Sequence, residues 1–114
     1  MAISFQAIGQ KIVRFAAASG LTAGKPCIVS ANETVSLSAN GKSFCGVVQN
    51  VKDGVAGVIV SGCVTLPYSG ATAPTVGYCG LCADGNGGVT AASDGRSYLV
   101  VGVDTTAKTV EFFL

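Results

Sequence analysis

Four dipeptides set the rhythm of this chain: Asn40-Gly41, Asp53-Gly54, Asp84-Gly85 and Asp94-Gly95. Each puts a glycine, which takes positive φ freely, beside a side chain that bonds its own backbone, the chemistry of a tight turn between strands. The segments they bound are short and rich in Val, Ile, Thr and aromatic residues. Turn signals every ~8–12 residues, with no long amphipathic helical pattern, predict an all-β fold. The expected architecture is a small single-domain β-barrel or sandwich of short antiparallel strands and hairpins, with little helix.

Along the chain, KIVRFAA (residues 11–17) reads as a strand or a helical turn, its alanines leaving both open. PCIVS leads through Ala31-Asn32-Glu33 into TVSLS, where Val35 and Leu37 alternate with serines, the pattern of a strand with one wet face. Asn40-Gly41 predicts a hairpin turn into SFCGVVQNV (residues 43–51). VAGVIVSGCVTLPY (residues 55–68) is the most β-branched stretch, with Gly57 and Gly62 as bulge or close-packing points. Residues 69–77 form a loop, and SYLVVGV, a turn at 104–107 and KTVEFFL close the chain as a hairpin. No linker divides the sequence, so residues 21–114 read as one β domain and residues 1–20 as a docking arm or first strand.

Composition narrows the function. Of the 114 residues 49% are hydrophobic and 11% charged, which excludes a disordered chain. A net charge of +1, with Lys11, Arg14, Lys25, Lys42, Lys52, Arg96 and Lys108 scattered, leaves no electrostatic footprint for nucleic acid. The absence of histidine excludes a Ser-His-Asp or Cys-His engine and every His-containing zinc site. The acids Glu33, Asp53, Asp84, Asp94, Asp104 and Glu111 sit mostly at turns, so no catalytic carboxylate pair is expected. Neither an enzyme nor a cofactor site is predicted.

Cys79-Gly-Leu-Cys82 has the redox spacing C-x-x-C, but VGYCGLCADGNGG reads as a strand entering a turn. A lowered thiolate pKa usually comes from a helix N-terminus. Zinc would need two further thiolates, and Cys45 and Cys63 lie in separate apolar runs. The five cysteines therefore read as buried thiols of a reducing compartment. Asp84-Gly-Asn-Gly-Gly opens like a calcium loop, yet Gly95 stands where the bidentate Glu belongs, so a turn is expected. Lys11 and Arg14 follow the first apolar residues, the reverse of a signal peptide, and no ~20-residue apolar run offers a membrane helix.

Ile3, Phe5, Ile8 and Ile12 are large apolar residues ahead of the first clear turn. They either complete the barrel or form an interface arm adding a strand to a neighbouring subunit. Tyr68, Tyr78 and Tyr98 are the candidate stacking platforms of an alternative, a glycan- or host-surface-binding module.

The run LTAGKPCIVSANETVSLSANGKSFCGVVQNVKDGVAGVIVSGCVTLPYSG resembles small capsid surface proteins of tailed bacteriophages and prophages, the head-decoration (capsid cement) and head-fibre families. The features are GKP leading into a strand, the TVSLS arm, FCGVV before a polar turn, and GVAGVIVSGCVTL ending in PYSG. ADGNGGV, GRSYLVVGVD and TVEFFL extend the likeness over residues 21–114. The resemblance implies a non-enzymatic β domain, made in the bacterial cytoplasm and bound to the major capsid protein lattice on the virion surface. It also implies self-association, most often as a trimer, with no nucleic-acid or membrane partner. Sparse charge, with none between Asp53 and Asp84, accords with a surface covered by neighbours.

Overall fold

A computed structural model describes residues 9–114, so Ile3, Phe5 and Ile8 lie outside the described residues. The described chain is all-β, as the turn rhythm predicts. Ten strands follow in order: β1 (Lys11–Ala17), β2 (Pro26–Ala31), β3 (Thr34–Leu37), β4 (Gly46–Lys52), β5 (Val55–Ser61), β6 (Cys63–Ser69), β7 (Gly77–Ala83), β8 (Val89–Ala91), β9 (Arg96–Asp104) and β10 (Thr109–Phe113). KIVRFAA is thus a strand, and Ile12 lies in it.

The strands close into two five-stranded barrels, in the order β1-β3-β2-β4-β5 and β6-β8-β7-β9-β10. The second repeats the topology of the first. β1 and β3 run parallel, as do β6 and β8. Every other pairing is antiparallel and has its counterpart five strands later: β1–β5 with β6–β10, β2–β3 with β7–β8, β2–β4 with β7–β9, and β4–β5 with β9–β10. The likeness extends to an irregularity. In β4 the ladder slips between Val48 and Asn50, leaving Gln49 unmatched, and in β9 it slips between Val100 and Gly102, leaving Val101 unmatched. Both are one-residue bulges in the fourth strand of their barrel.

Two of the sequence expectations need correction. Residues 55–68 are not one strand but β5 and β6, the last of one barrel and the first of the next. Gly62 divides them at φ +109°, where a Cβ would lie 2.8 Å from the Gln10 Cα. Nor does Asn40-Gly41 close a hairpin: β3 pairs with β1 and β2, and the chain crosses to β4 without pairing to it. A turn dipeptide fixes a reversal of direction, not the strand paired beyond it. Asp53-Gly54 does close a hairpin, β4–β5, with φ of 52° and 77° at its two central residues, the signature of a type I′ turn.

Alternation sorts the core. In β6, Val64, Leu66 and Tyr68 are buried while Thr65, Pro67 and Ser69 are exposed. One cluster (Leu21, Cys27, Val35, Val48, Ala56 and Val58) fills the first barrel. The other fills the second barrel and also takes in Phe44, Val47 and Ile59 from the first. In β4 Val47 joins the shared cluster while its neighbour Val48 faces its own barrel's interior, and Ile59 and Val58 divide likewise in β5. The outer face of β4–β5 is therefore the seat of the second barrel. Backbone bonds reinforce the junction, from the Gly41 N–H to the Ala83 carbonyl (2.8 Å) and from the Ala83 N–H to the Lys42 carbonyl (2.9 Å).

Candidate functional site

The chemistry-bearing residues divide among core, turns and surface. Cys79 and Cys82 both lie in β7. Successive strand residues face opposite sides, so a three-residue spacing sends these thiols to opposite faces. Cys79 packs against the shared cluster with Leu81 and Ala83, and Cys82 is buried apart from it. Burial pushes the Cys82 thiol up, and the nearby Asp94 and Asp84 carboxylates add to the rise. Burial raises Cys63 as well, with Glu111 contributing. All five thiols are free. Among the described residues, no group of three or more His, Cys, Asp or Glu side chains is placed to hold a metal ion.

One pair of thiols interacts, and the spacing of the sequence does not advertise it. β2 and β4 place Cys27 opposite Gly46, and the Cys45 N–H donates to the Cys27 carbonyl at 2.8 Å. The Cys27 thiol donates to the Cys45 sulfur, which favours the Cys45 thiolate and holds its pKa down to about 6. Cys27 itself is driven far upward by that hydrogen bond, by burial and by the charge of the Cys45 thiolate. Cys45 is half-buried and Cys27 fully buried, so the activated sulfur is the one nearer solvent. Two adjacent strands at one register bring together residues 18 apart, which no local motif could signal.

The acids serve their turns. Asp84 Oδ1 accepts from the Asn86 and Gly88 N–H groups at 2.8 and 3.0 Å, and its Oδ2 accepts from the Ser69 hydroxyl at 2.9 Å. The DGNGG segment is thus an Asx-type turn rather than an open calcium loop. Asp104 does the same for the Thr106 and Ala107 N–H groups. A shallow groove on the first barrel is lined by Arg14, Asn50, Lys52, Asp53, Val55 and Gly57, placing two cations beside one carboxylate.

The three tyrosines do not form a platform. Tyr68 and Tyr98 are buried in the shared core, where alternation along β6 and β9 turns them inward. The Tyr98 hydroxyl donates to the Phe44 carbonyl at 3.1 Å, which satisfies its polar end inside. Only Tyr78 of the three is exposed. It stands beside the exposed Val76, and its register partner on β9 is the exposed Leu99. A second exposed apolar pair, Ile12 and Val13, lies at the start of β1. Ile12 was among the interface residues the sequence singled out; the others of that set lie outside the described residues.

Exposed apolar side chains, rather than a reactive cluster, are what the described surface presents. Among the described residues no helix is long and apolar enough to cross a membrane. Compared with models of protein families and with curated proteins, the chain matches none.

Proposed function

We propose that this chain is a non-enzymatic structural module that binds the outer surface of a tailed-phage or prophage head, in self-associated copies, as a decoration or head-fibre-base protein. The resemblance over residues 21–114 supplies the head. The observation that carries a contact role is the exposure of Val76, Tyr78 and Leu99 on one barrel and of Ile12 and Val13 on the other. In a chain with 11% charged residues, such side chains are protected by protein neighbours rather than by surrounding charge. A lattice favours this use, because weak contacts repeated over many copies add through effective concentration. Five free thiols are in keeping with synthesis in a reducing bacterial cytoplasm before placement on the virion. A glycan-binding module has less support, since Tyr78 stands without a second exposed tyrosine beside it.

The test joins gene context to binding. The gene is expected beside portal, protease and major capsid genes, and the purified chain is expected to co-sediment with assembled heads of the encoding phage or prophage. Neighbours unrelated to heads, or a chain left in the supernatant with heads in excess, would overturn the proposal.

A further inference from the structure

Cys27, on β2, has two residues set against it at the entry to β4. Its register partner is Gly46, yet it is the Cys45 N–H that donates to its carbonyl, at 2.8 Å. Two consecutive residues against one on the neighbouring strand is the arrangement of a β-bulge. A bulge re-aims a side chain that simple alternation would send to the other face. The two side chains do meet, the Cys27 thiol donating to the Cys45 sulfur. Gly46 presses the start of β4 against β5, where a Cβ would lie 2.5 Å from the Ile59 carbonyl oxygen. The bulged segment is therefore held from both sides.

The second barrel carries the same ladder without the pair. Cys79 on β7 stands opposite Tyr98 as Cys27 stands opposite Gly46, and Ser97 takes the place of Cys45. There the ladder runs on in register, with Gly80 opposite Ser97, and the Cys79 thiol donates to the Gly80 carbonyl at 3.6 Å. A strand thiol thus stands at this position in both repeats, while the bulge and the second sulfur belong to the first. Within that pair the roles differ. Cys27 is fully buried, and Cys45 is the sulfur nearer solvent. The hydrogen bond from Cys27 holds Cys45 down to about 6, so it is a thiolate, and a nucleophile, near neutrality.

We propose that Cys27 and Cys45 are an oxidisable dithiol, which a small hydroperoxide converts, by way of Cys45, into a disulfide that locks β2 to β4. In the first step the Cys45 thiolate attacks one peroxide oxygen. The S–O bond forms, the O–O bond breaks, and the departing oxygen anion takes from solvent the proton that Cys45 had given up. Cys45 is left as a sulfenic acid. That step also removes the thiolate whose hydrogen bond and charge hold the Cys27 proton in place. In the second step the Cys27 sulfur attacks the Cys45 sulfur. The S–S bond forms, the S–O bond breaks, and the Cys27 proton leaves with the sulfenic hydroxyl as water. Two thiols lose two electrons, and hydrogen peroxide gains them in becoming two waters. The bond encloses β3 in a covalent loop and constrains the unfolded chain. Nothing in this chemistry depends on the phage-head reading.

The test treats the folded full-length chain with a small excess of hydrogen peroxide near neutrality, quenches it with iodoacetamide in denaturant and digests it with trypsin without reductant. Trypsin cleaves after Lys42, between the two cysteines, and spares Lys25 because Pro26 follows it. The disulfide therefore joins peptide 15–42 to peptide 43–52. That joined pair is expected, with the free thiols falling from five to three and full reversal by dithiothreitol. The oxidised chain is expected to unfold at a higher urea concentration than the reduced one. Cys27→Ala is expected to hold a sulfenic acid at Cys45, trapped by dimedone, with no joined peptides. Cys45→Ser is expected to leave Cys27 unoxidised, and Cys27→Ser replaces the alanine variant if that one folds poorly. Five thiols that survive the peroxide, a Cys45 that runs on to sulfinic acid without joining Cys27, or a bond between Cys79 and Cys82 instead would each overturn the dithiol. Joined peptides that appear only in denaturant would do the same, and an oxidised chain no harder to unfold would overturn the lock.

Discussion

The ring of Phe44, carried by the first barrel, lies flat on the ring of Tyr98 in the second, with centroids 5.1 Å apart and planes 5° from parallel. Phe112 closes edge-on against both, at 6.0 Å from Phe44 and 5.2 Å from Tyr98. Phe44 and Tyr98 end matching pentapeptides, Asn40-Gly-Lys-Ser-Phe44 and Asp94-Gly-Arg-Ser-Tyr98. Yet the ladders set Tyr98 opposite Cys79 as they set Gly46 opposite Cys27, so Phe44 lies two residues ahead of the register counterpart of Tyr98 and the stack joins non-equivalent positions of the two repeats. It makes the first barrel part of the second barrel's core.

Phe44→Ala removes that ring from a buried site and is expected to destabilise the fold by about 3–5 kcal/mol, the usual cost of deleting a core aromatic. Because the cluster spans both barrels, urea unfolding of the wild type is expected to be one cooperative transition. The variant is expected to lower its midpoint. Tyr98→Phe keeps the stack but leaves the Phe44 carbonyl without its 3.1 Å donor, which costs about 1–3 kcal/mol. Two separated transitions in the wild type would show barrels that fold independently.

Cys45 is expected to be the most reactive thiol near neutrality. Its thiolate population rises as pH passes about 6, so the alkylation rate climbs there and levels off by pH 8. Cys27→Ala removes the thiol that stabilises the anion, returning Cys45 toward the ordinary value near ~8.5 and slowing its reaction at pH 7 by roughly tenfold. Peptide mapping after iodoacetamide at a series of pH values reads both the site and its titration.

Gly80 is expected to tolerate no side chain. A Cβ there would collide with the Ala92 carbonyl oxygen and come within 3.1 Å of the Gly95 carbonyl oxygen. Both obstacles are backbone, and Ala92 is also tied by its N–H to the Gly80 carbonyl at 2.9 Å, so neither yields cheaply. Gly80→Ala is expected to cost about 1–3 kcal/mol, measured as a lowered denaturation midpoint.

Ser38 offers the opposite outcome. Its side chain is fully buried, and among the described residues its hydroxyl has no hydrogen-bond partner. Removing an unpaired buried hydroxyl relieves its desolvation cost, so Ser38→Ala is expected to stabilise the protein by about 1 kcal/mol. A loss of stability would mean that this hydroxyl is satisfied in solution.

Much of the local structure was written in the chain. β-branched runs and Asx-Gly turns place strands and reversals through each residue's own φ/ψ preference and the two-residue period of side chains. The C-terminal hairpin and the type I′ turn at Asp53-Gly54 follow from this alone. The break at Gly62 is harder to read, because β5 and β6 are both apolar and a single glycine suits a bulge as well as a boundary. The repeat was faint for a related reason: a five-strand topology is preserved by strand order and bulge position rather than by residue identity.

The candidate site was less legible than the fold. Sequence could name Ile12 and Tyr78 as apolar or aromatic, yet the same information put Tyr68 and Tyr98 beside Tyr78 as equals. What separates them is which face of a closed barrel each occupies, and a period of two says only that alternate residues share a face, not which face is inside.

The sequence by itself determined an all-β chain of short strands, with turns stabilised by their own aspartates and with too little charge to shield every apolar side chain. The tertiary structure alone decided which strands pair, that two barrels repeat one plan, that Cys27 and Cys45 meet, and that Phe44 crosses from one barrel to the other. Turns and strands arise from interactions within a few residues. Barrel closure, register and burial are settled by contacts between residues far apart in the chain, where many pairings satisfy the same local pattern and packing selects among them.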